Sequence, residues 1–563
     1  MSLEFEFSKL KKVTQDTLYS SIETKLELVE SQIYMPFFTK YVKFHNPYSK
    51  KMFNLKNNYT LLEINDVDDK TKNRLQGKIN VKMIKTELYT KAKDFNDYKN
   101  FIVEKEIFIK SNPIVDVLKF MEGCYDFNNL MPSIQSFMTL KKINNHNNNA
   151  YIEVMGCYII SKMNKYNYAT IFPEYYGCFN GISNNYEHDI SEDYNFINSD
   201  DWFMERNGNE FDIIYDNSLA DFDKLSLDNL EKLNLKKIKG GAKNDIEAEA
   251  MEIDTEDDLD LSIDMEEIYK QREKNVKIEK NVKIEKNIKI KKNSFNSESS
   301  YNSDSISDYS DSDMDDSSGS WFTDSSNESV MCADYWAKLN NIPVQLLCME
   351  AFDKTLTDLI KENISEDRWL SILFQICFGL AAGQKHLKYI HNDLHSDNIM
   401  FKKTDKEFYY FKFEDIHFKI PTFGEEVKII DFARSIFKVK NHIFYSDVFE
   451  RNGDAGGQYG YPPSKYLRTK MNYNFDLARL ATTIIEFFNQ DSPIFDLLIE
   501  WTNYKENGIH RNFNQLDDNF DLYVTITKYA KNSNPRNQLK KEIFNLFQIQ
   551  ADNIPTNEII YEF

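Results

Sequence analysis

The stretch that decides the fold runs from His391 to Met400 and has the sequence HNDLHSDNIM. It follows a helical pattern in which apolar residues recur three or four positions apart between Leu370 and Leu387. A short apolar strand pattern, Val427–Ile430, comes later and runs directly into Asp431. Acidic and amide side chains that follow the ends of a helix and a strand predict a polar site built on two loops.

Four other stretches have a clear period. Glu104–Lys110 (EKEIFIK) and Val344–Met349 (VQLLCM) predict strands, and Ala150–Met163 and Phe475–Phe488 predict apolar helices. Residues 1–80 show only weak periodicity, and we predict no element there. The chain therefore combines strands and helices, and we predict the α+β class.

Composition excludes several classes of protein. Aromatic residues make up 14% of the 563 residues, which is the opposite of a disordered composition. The net charge is −21, so we expect no nucleic-acid partner, because nucleic-acid binders carry basic surfaces. No run approaches the ~18 apolar residues of a membrane span, and the first residues lack an apolar signal region, so we expect neither membrane insertion nor secretion.

One segment, residues 240–326, differs from the rest. Between Asp245 and Asp316 it carries 22 acidic and 10 basic residues. It also holds three six-residue repeats at 274–291, KNVKIE, KNVKIE and KNIKIK, and then a Ser/Asp-rich tract. This composition predicts a long disordered insert. Low complexity without a role is the simpler interpretation of the repeats, and docking of a protein partner is the alternative.

The two loops resemble known motifs. His391–Asn398 resembles the protein-kinase catalytic loop H-R-D-L-x-x-x-N, and Asp431-Phe432-Ala433 resembles the metal-binding D-F-G. Tyr473–Ala478, with Asp476, resembles the helix whose aspartate ties down the catalytic loop. The resemblance implies a bilobal protein-kinase-like fold, with a small β-rich N-lobe and a large helical C-lobe.

The resemblance also implies roles for the loop residues. Asp393 would accept the proton of the substrate hydroxyl, and Asn398 and Asp431 would hold Mg²⁺ on the phosphates of ATP. An amide and a carboxylate offer the hard oxygen ligands that Mg²⁺ prefers. His395 stands in place of the catalytic-loop lysine, where a histidine could donate a hydrogen bond.

Other residues would bind the nucleotide. Lys110, in the strand pattern IFIK, resembles the ATP-binding lysine, and Glu153 would be its partner on the regulatory helix. Lys119 is the alternative lysine, since 43 residues separate Lys110 from Glu153.

The hinge between the two lobes would follow the strand at 344–349. Met349 would be the gatekeeper there. The backbone of Glu350 and Phe352 would face adenine, and Asp353 would lie near the ribose.

The chain also departs from the kinase pattern. It has no G-x-G-x-x-G, and Gly77 is the only glycine before Gly123. Asn392 replaces the arginine that usually meets an activation-loop phosphate, and Ala433 replaces the D-F-G glycine. These features, with the long polar insert, resemble serine/threonine-protein kinases of giant DNA viruses such as mimivirus.

We therefore predict phosphorylation of protein Ser or Thr with ATP and Mg²⁺. A pseudokinase that binds a protein partner and an atypical small-molecule kinase are the alternatives. The predicted domains are an N-terminal extension (1–80), the first part of the N-lobe (81–239), the insert (240–326), the end of the N-lobe with the hinge (327–352) and the C-lobe (353–563). The expected location is the cytoplasm, or the virion or host cytoplasm for a viral protein.

Overall fold

The structure, a computed structural model, describes residues 3–43, 50–125, 130–135, 139–216, 334–362 and 364–563, with backbone alone at 468–470. The described residues form a mixed α and β fold. The predicted insert at 240–326 lies outside them. No helix in the described ranges is long and apolar enough to cross a membrane.

The N-terminal half is built from strands. In chain order they are β1 (Phe7–Lys9), β2 (Leu28–Gln32), β3 (Phe53–Leu55), β4 (Tyr59–Ile64), β5 (Gly77–Lys85), β6 (Val103–Pro113), β7 (Tyr175–Ser183), β8 (Tyr186–Asp189), β9 (Phe211–Asp216), β10 (Asp334–Leu339) and β11 (Ile342–Glu350). The strands predicted at 104–110 and 344–349 are confirmed as β6 and β11.

Six of these strands form one antiparallel sheet in the order β2-β7-β11-β6-β5-β4. Every residue of β11 is buried, which suits its central place and its apolar sequence. Residues before 80 supply β2 and β4, and the boundary predicted at residue 80 falls inside β5. The N-terminal segment is therefore part of this sheet.

Within the described ranges, seven helices accompany these strands: α1 (Lys12–Lys25), α2 (Asp69–Arg74), α3 (Thr86–Lys91), α4 (Val117–Met121), α5 (Asn149–Lys165), α6 (Ser191–Ile197) and α7 (Asp201–Arg206). α5 confirms the helix predicted at 150–163, and it is buried on nearly all sides. Gly156 allows its close packing, because a Cβ there would lie 2.8 Å from Cβ of Phe432. The residue after Asp431 is thus in direct contact with α5.

A second, three-stranded sheet has the order β8-β10-β9. β9 ends at Asp216 and β10 begins at Asp334, and these two residues are paired across the strands. Both ends of the segment 217–333, which the structure does not describe, are therefore neighbours in one sheet.

Helices dominate the chain after β11. They are α8 (Leu356–Ile360), α9 (Glu366–Leu387), α10 (Pro463–Lys470), α11 (Phe475–Ile484), α12 (Pro493–Thr502), α13 (Phe520–Tyr529) and α14 (Pro535–Gln538). α9 confirms the helix predicted before the HNDLHSDNIM stretch, and it ends where Lys388 adopts a left-handed φ of 53°. The helix predicted at 475–488 ends four residues early, and a 3₁₀ turn follows at Ile485–Phe487.

Short strands connect the helices of this part: β12 (Lys354–Thr355), β13 (Ile399–Lys403), β14 (Phe408–Phe413), β15 (Ile416–Pro421), β16 (Glu425–Ile429), β17 (Phe437–Val439), β18 (His442–Phe444), β19 (Asn503–Glu506), β20 (Ile509–Asn512), β21 (Gln548–Ile549) and β22 (Ile560–Glu562). β16 confirms the strand predicted at 427–430. It pairs with β13, so the loop before β13 and the loop after β16 lie side by side.

Candidate active site

The loop that follows α9 is held by a buried carboxylate. Asp476, in the first turn of α11, accepts the backbone N–H groups of His391 (3.0 and 3.1 Å) and Asn392 (3.0 Å). Asp476 is 1% exposed, and burial raises the pKa of its carboxyl group although His391 and these donors oppose the shift. These contacts agree with the prediction that this aspartate ties down the loop.

Asn392 adopts an unusual backbone conformation in this loop. Its φ is +65°, in the left-handed region where Asn is among the better tolerated residues. Its side chain is fully buried, donates to the backbone carbonyl of Arg434 (3.1 Å) and accepts a hydrogen bond from the Tyr459 hydroxyl. The side chain that replaces the usual arginine thus connects the loop to the segment after Asp431.

The carboxylate of Asp393 has a polar partner on each side. Its Oδ1 accepts the Tyr523 hydroxyl at 2.7 Å, and its Oδ2 lies 3.8 Å from Nε of Arg434. Its backbone N–H donates to Nδ1 of His391 at 3.2 Å. The 3.8 Å between Oδ2 and Arg434 is beyond direct hydrogen-bond distance, so Oδ2 has no hydrogen-bonded cation among the described residues.

Asn398 and His395 lie beside Asp393. Nδ2 of Asn398 donates to the backbone carbonyl of Asp393 at 2.8 Å and lies 3.0 Å from Nε2 of His395. Burial is the main factor that lowers the pKa of His395, so its imidazole is neutral near pH 7. At that pH the histidine offers a hydrogen-bonding group in place of the positive charge of a lysine.

Asp431 is connected to the large sheet through a lysine. Nζ of Lys110, on β6, lies 3.0 Å from Oδ1 of Asp431 and 3.4 Å from Oε2 of Glu153, on α5. Backbone N–H of Ile430 donates to the carbonyl of Asn398 at 3.0 Å, which brings Asp431 next to that residue. Asp431 itself has a φ of +66°. The structure thus joins three residues that lie 43 and 278 positions apart in sequence.

The charges in this cluster depend on each other. Burial acts against the charged form of Lys110, but Asp431 and Glu153 outweigh it and raise its pKa. Burial raises the pKa of Glu153 to about 8, and the nearby Lys110 opposes that shift. Burial would raise the pKa of Asp431 too, yet Lys110 lowers it overall. A cationic Lys110 beside an ionised Asp431 is therefore the stable arrangement.

The alternative lysine lies elsewhere. Lys119 is an exposed residue on α4, and its ammonium pairs with Asp116 at 2.9 Å. Of the two lysines considered from the sequence, Lys110 is the one that the structure brings to Glu153 and Asp431.

The predicted hinge residues follow the end of β11. Met349 and Phe352 are buried, at 1% and 6% exposure. The backbone N–H of Glu350 donates to Glu174 at 2.9 Å, and its side chain pairs with Lys402 at 2.6 Å. Asp353 is exposed and lies 3.4 Å from Nζ of Lys78, at the start of β5. Sequence reasoning missed Lys78, because a lone lysine in a strand has no distinguishing pattern.

Comparisons with known proteins give partial matches. No family model matches the chain. A serine/threonine-protein kinase haspin homolog of Drosophila melanogaster is 28% identical over 115 residues, which is 20% of each chain. A haspin homolog of Arabidopsis thaliana is 30% identical over 103 residues, 18% of this chain and 17% of the relative, and haspin of Bos taurus is 30% identical over 105 residues, 18% and 13%.

This weak homology supports the protein kinase superfamily. The matched part spans a fifth or less of the length of each of these relatives. The segment between β4 and β5 contains α2, with Asp68 as its N-cap.

Two further residues contact the predicted site without belonging to any motif. Tyr523, on α13, reaches Asp393, and Arg479, on α11, lies with its guanidinium 5.1 Å from the Tyr523 ring. They lie 130 and 86 positions after Asp393 in sequence. Only the packing of α11 and α13 brings them there, so neither residue could be recognised from a sequence pattern.

Proposed function

We propose that the chain transfers the γ-phosphoryl group of ATP to Ser or Thr hydroxyls of proteins, on a two-lobed kinase-like fold. The observation that supports it most is the convergence of five predicted residues, Lys110, Glu153, Asp393, Asn398 and Asp431, which the fold brings from a strand, a helix and two loops. The sheet that contains β6 and β11 would be the small lobe, and the helices after β11 the large one.

The donor set suits Mg²⁺. Asn398 directs its Nδ2 to the Asp393 carbonyl and to His395, which leaves its amide oxygen without a hydrogen bond among the described residues. Asp431 is ionised and adjacent to that residue through the Ile430–Asn398 hydrogen bond. Asn398 and Asp431 would hold the ion, which neutralises charge on the phosphates when it is bound.

Lys110 and Glu153 would position the phosphates. Phosphoryl transfer depends mainly on positioning and charge stabilisation, so a fixed cation at this place is useful. Glu153 is fully buried, and its Oε2 lies 3.4 Å from Nζ of Lys110, so its carboxyl group would hold the lysine in place. The backbone at Glu350 and Phe352 would face adenine, and the exposed Asp353 would lie near the ribose.

Asp393 would receive the proton of the acceptor hydroxyl. Its Oδ2 is the oxygen available for this role, since Oδ1 already accepts the Tyr523 hydroxyl. His395 directly follows Leu394 in the sequence. Its neutral imidazole would orient the transferred group by hydrogen bonding, without adding charge. Ser or Thr as the acceptor, and the relation to kinases of giant DNA viruses with its cytoplasmic or virion location, are parts of this proposal.

The experiment is a transfer assay with Mg·ATP and a mixture of basic, neutral and acidic protein substrates. Wild-type protein should transfer phosphate to Ser or Thr, and Asp431→Asn should abolish metal-dependent nucleotide binding and transfer. Asp405→Asn is the matched control, because Asp405 is exposed in the turn between β13 and β14. Equal transfer by wild type and Asp431→Asn would contradict the proposal.

The same assay separates the alternatives. Nucleotide that raises the melting temperature without any transfer would favour the pseudokinase. Transfer to small metabolites and to no protein would favour a small-molecule kinase.

A further inference from the structure

Tyr523 is the one residue outside the predicted motifs whose side chain donates a hydrogen bond to Asp393 among the described residues. Its hydroxyl lies 2.7 Å from Oδ1 of Asp393. Burial raises the pKa of Tyr523 to about 12, and the charge of Asp393 acts in the same direction. The phenol is therefore protonated at neutral pH and acts as a donor to the carboxylate.

The ring of Tyr523 is itself held by a second layer of contacts. The Arg479 guanidinium lies 5.1 Å from the ring centroid, and the Arg434 guanidinium lies 5.5 Å from it. Arg479 is 5% exposed and is anchored by Asp518 at 2.9 Å. Cations over an aromatic face are attracted to it, so the ring has a defined orientation before any substrate binds.

A carboxylate with a single strong donor on one oxygen cannot rotate freely. The hydrogen bond to Oδ1 fixes the plane of the Asp393 carboxylate, and a bond of this kind to a charged group is among the stronger ones in proteins. Oδ2 then points away from Tyr523, with its nearest cationic atom, Nε of Arg434, at 3.8 Å. One oxygen is used for orientation and the other stays available for a substrate hydroxyl.

We propose that Tyr523 is a positioning residue for phosphoryl transfer, which fixes the Asp393 carboxylate so that Oδ2 meets the acceptor hydroxyl. This inference rests on the proposed function. The alternative role for the same contact is inhibition, in which the Tyr523 hydroxyl occupies the place of the substrate hydroxyl and blocks the site. The two roles predict opposite changes of rate when the hydroxyl is removed.

The test is Tyr523→Phe, which keeps the ring and removes only the hydroxyl. We expect kcat to fall about tenfold, as for a lost orienting contact, with KM for ATP unchanged. Tyr529→Phe is the matched control, because Tyr529 is on the same helix and its hydroxyl lies beside Glu506. The control variant should keep the wild-type kcat.

Three results would overturn the inference. An unchanged kcat for Tyr523→Phe would show that the hydroxyl positions nothing, and a raised kcat would show that it blocks the site. In both of these cases, the proposed function would still stand if wild type transfers phosphate and Asp393→Asn does not. No transfer by wild type would overturn the function and this inference together.

A second measurement does not depend on activity. Melting temperatures of wild type, Tyr523→Phe, Asp393→Asn and the double variant form a cycle that reports the contact between the two side chains. We expect the shift of the double variant to be smaller than the sum of the single shifts. Additive shifts would contradict the contact itself, even where each variant is folded.

Discussion

Oδ1 of Asp447 accepts the backbone N–H of Asn149 at 3.0 Å, in the first turn of α5. Oδ2 of Asp447 lies 2.7 Å from Nζ of Lys142, and the Asp447 backbone N–H donates to Asn147 at 2.7 Å. A carboxylate is favourable at a helix N-terminus, where the backbone N–H groups point outward. Asp447 thus links the segment after Asp431 to α5, the helix that carries Glu153. A carboxylate rather than a phosphate makes this link.

The charge partner of Asp447 lies outside the segment that follows Asp431. The structure pairs Asp447 with Lys142, and it places Arg434 near Asp393. Lys142 precedes α5 in an Asn-rich stretch with no periodicity, so nothing in the sequence marked it as a partner.

The first prediction concerns Asp447. Asp447→Ala should lower the free energy of unfolding by about 1–3 kcal/mol, because partly buried donors on Asn149 and Lys142 lose their charged acceptor. It should also lower the rate of phosphate transfer, since α5 carries Glu153. Denaturant unfolding and the transfer assay measure the two effects. Asp454→Asn, an exposed carboxylate in the same segment, is the control, and equal behaviour of the two variants would contradict the prediction.

The second prediction is that activity does not depend on phosphorylation of the segment 435–461. A phosphate orders a loop through a paired cation, and Asn392, which replaces the usual arginine, is neutral and already bonded to Tyr459. Phosphatase treatment, with mass spectrometry to confirm that 435–461 carries no phosphate, should leave the rate unchanged. A tenfold or greater loss that rephosphorylation restores would contradict it.

The third prediction concerns acid. Burial, then Lys40 and His442, lowers the pKa of His146 to about 4. Below pH 6.5, the ordinary pKa of histidine, His146 binds a proton in the unfolded chain but stays neutral in the folded chain. The free energy of unfolding should therefore fall as the pH is lowered from 6.5 to 4. His146→Gln should lose less melting temperature than wild type between pH 7 and pH 5. An identical loss in both proteins would refute this assignment.

The fourth prediction concerns the acidic segment. Asp216 and Asp334 are paired neighbours in the three-stranded sheet, so a short linker can replace much of what lies between them. Deleting 240–326 should change the melting temperature little, because closure entropy depends only weakly on loop length. A large drop in melting temperature would show that this segment contributes to the packing of the fold.

The elements and residues that the sequence predicted well share a local pattern. α5, α9, β6 and β11 each have a strong period or an apolar run, and the loops at 391–398 and 431 have a fixed order of residue types. Lys110 and Glu153 could be found because each lies inside such an element. Their pairing could only be guessed, since the 43 residues between them exceed the usual spacing.

The rest depended on long-range packing. β2 and β4 were not predicted. The register of their strand pairing shifts at 29–32 and 61–63, and these shifts interrupt the alternation of buried and exposed residues. The hairpin of β14 and β15 was missed although its aromatic residues are typical of strands. Tyr523 contacts Asp393, and Asp447 contacts the first turn of α5, each from a distant position in sequence. Single tyrosines or aspartates outside a motif have no sequence signature.

The role of Asp393 as acceptor of the proton from the substrate hydroxyl is tested by its amide variant. Rates of phosphate transfer from Mg·ATP to a protein substrate are compared for wild type and Asp393→Asn, with nucleotide affinity measured in parallel. We expect at least a hundredfold lower kcat for Asp393→Asn, because acid–base catalysis is lost, and nearly unchanged affinity for Mg·ATP. Equal rates for the two proteins would show that Asp393 does not receive this proton.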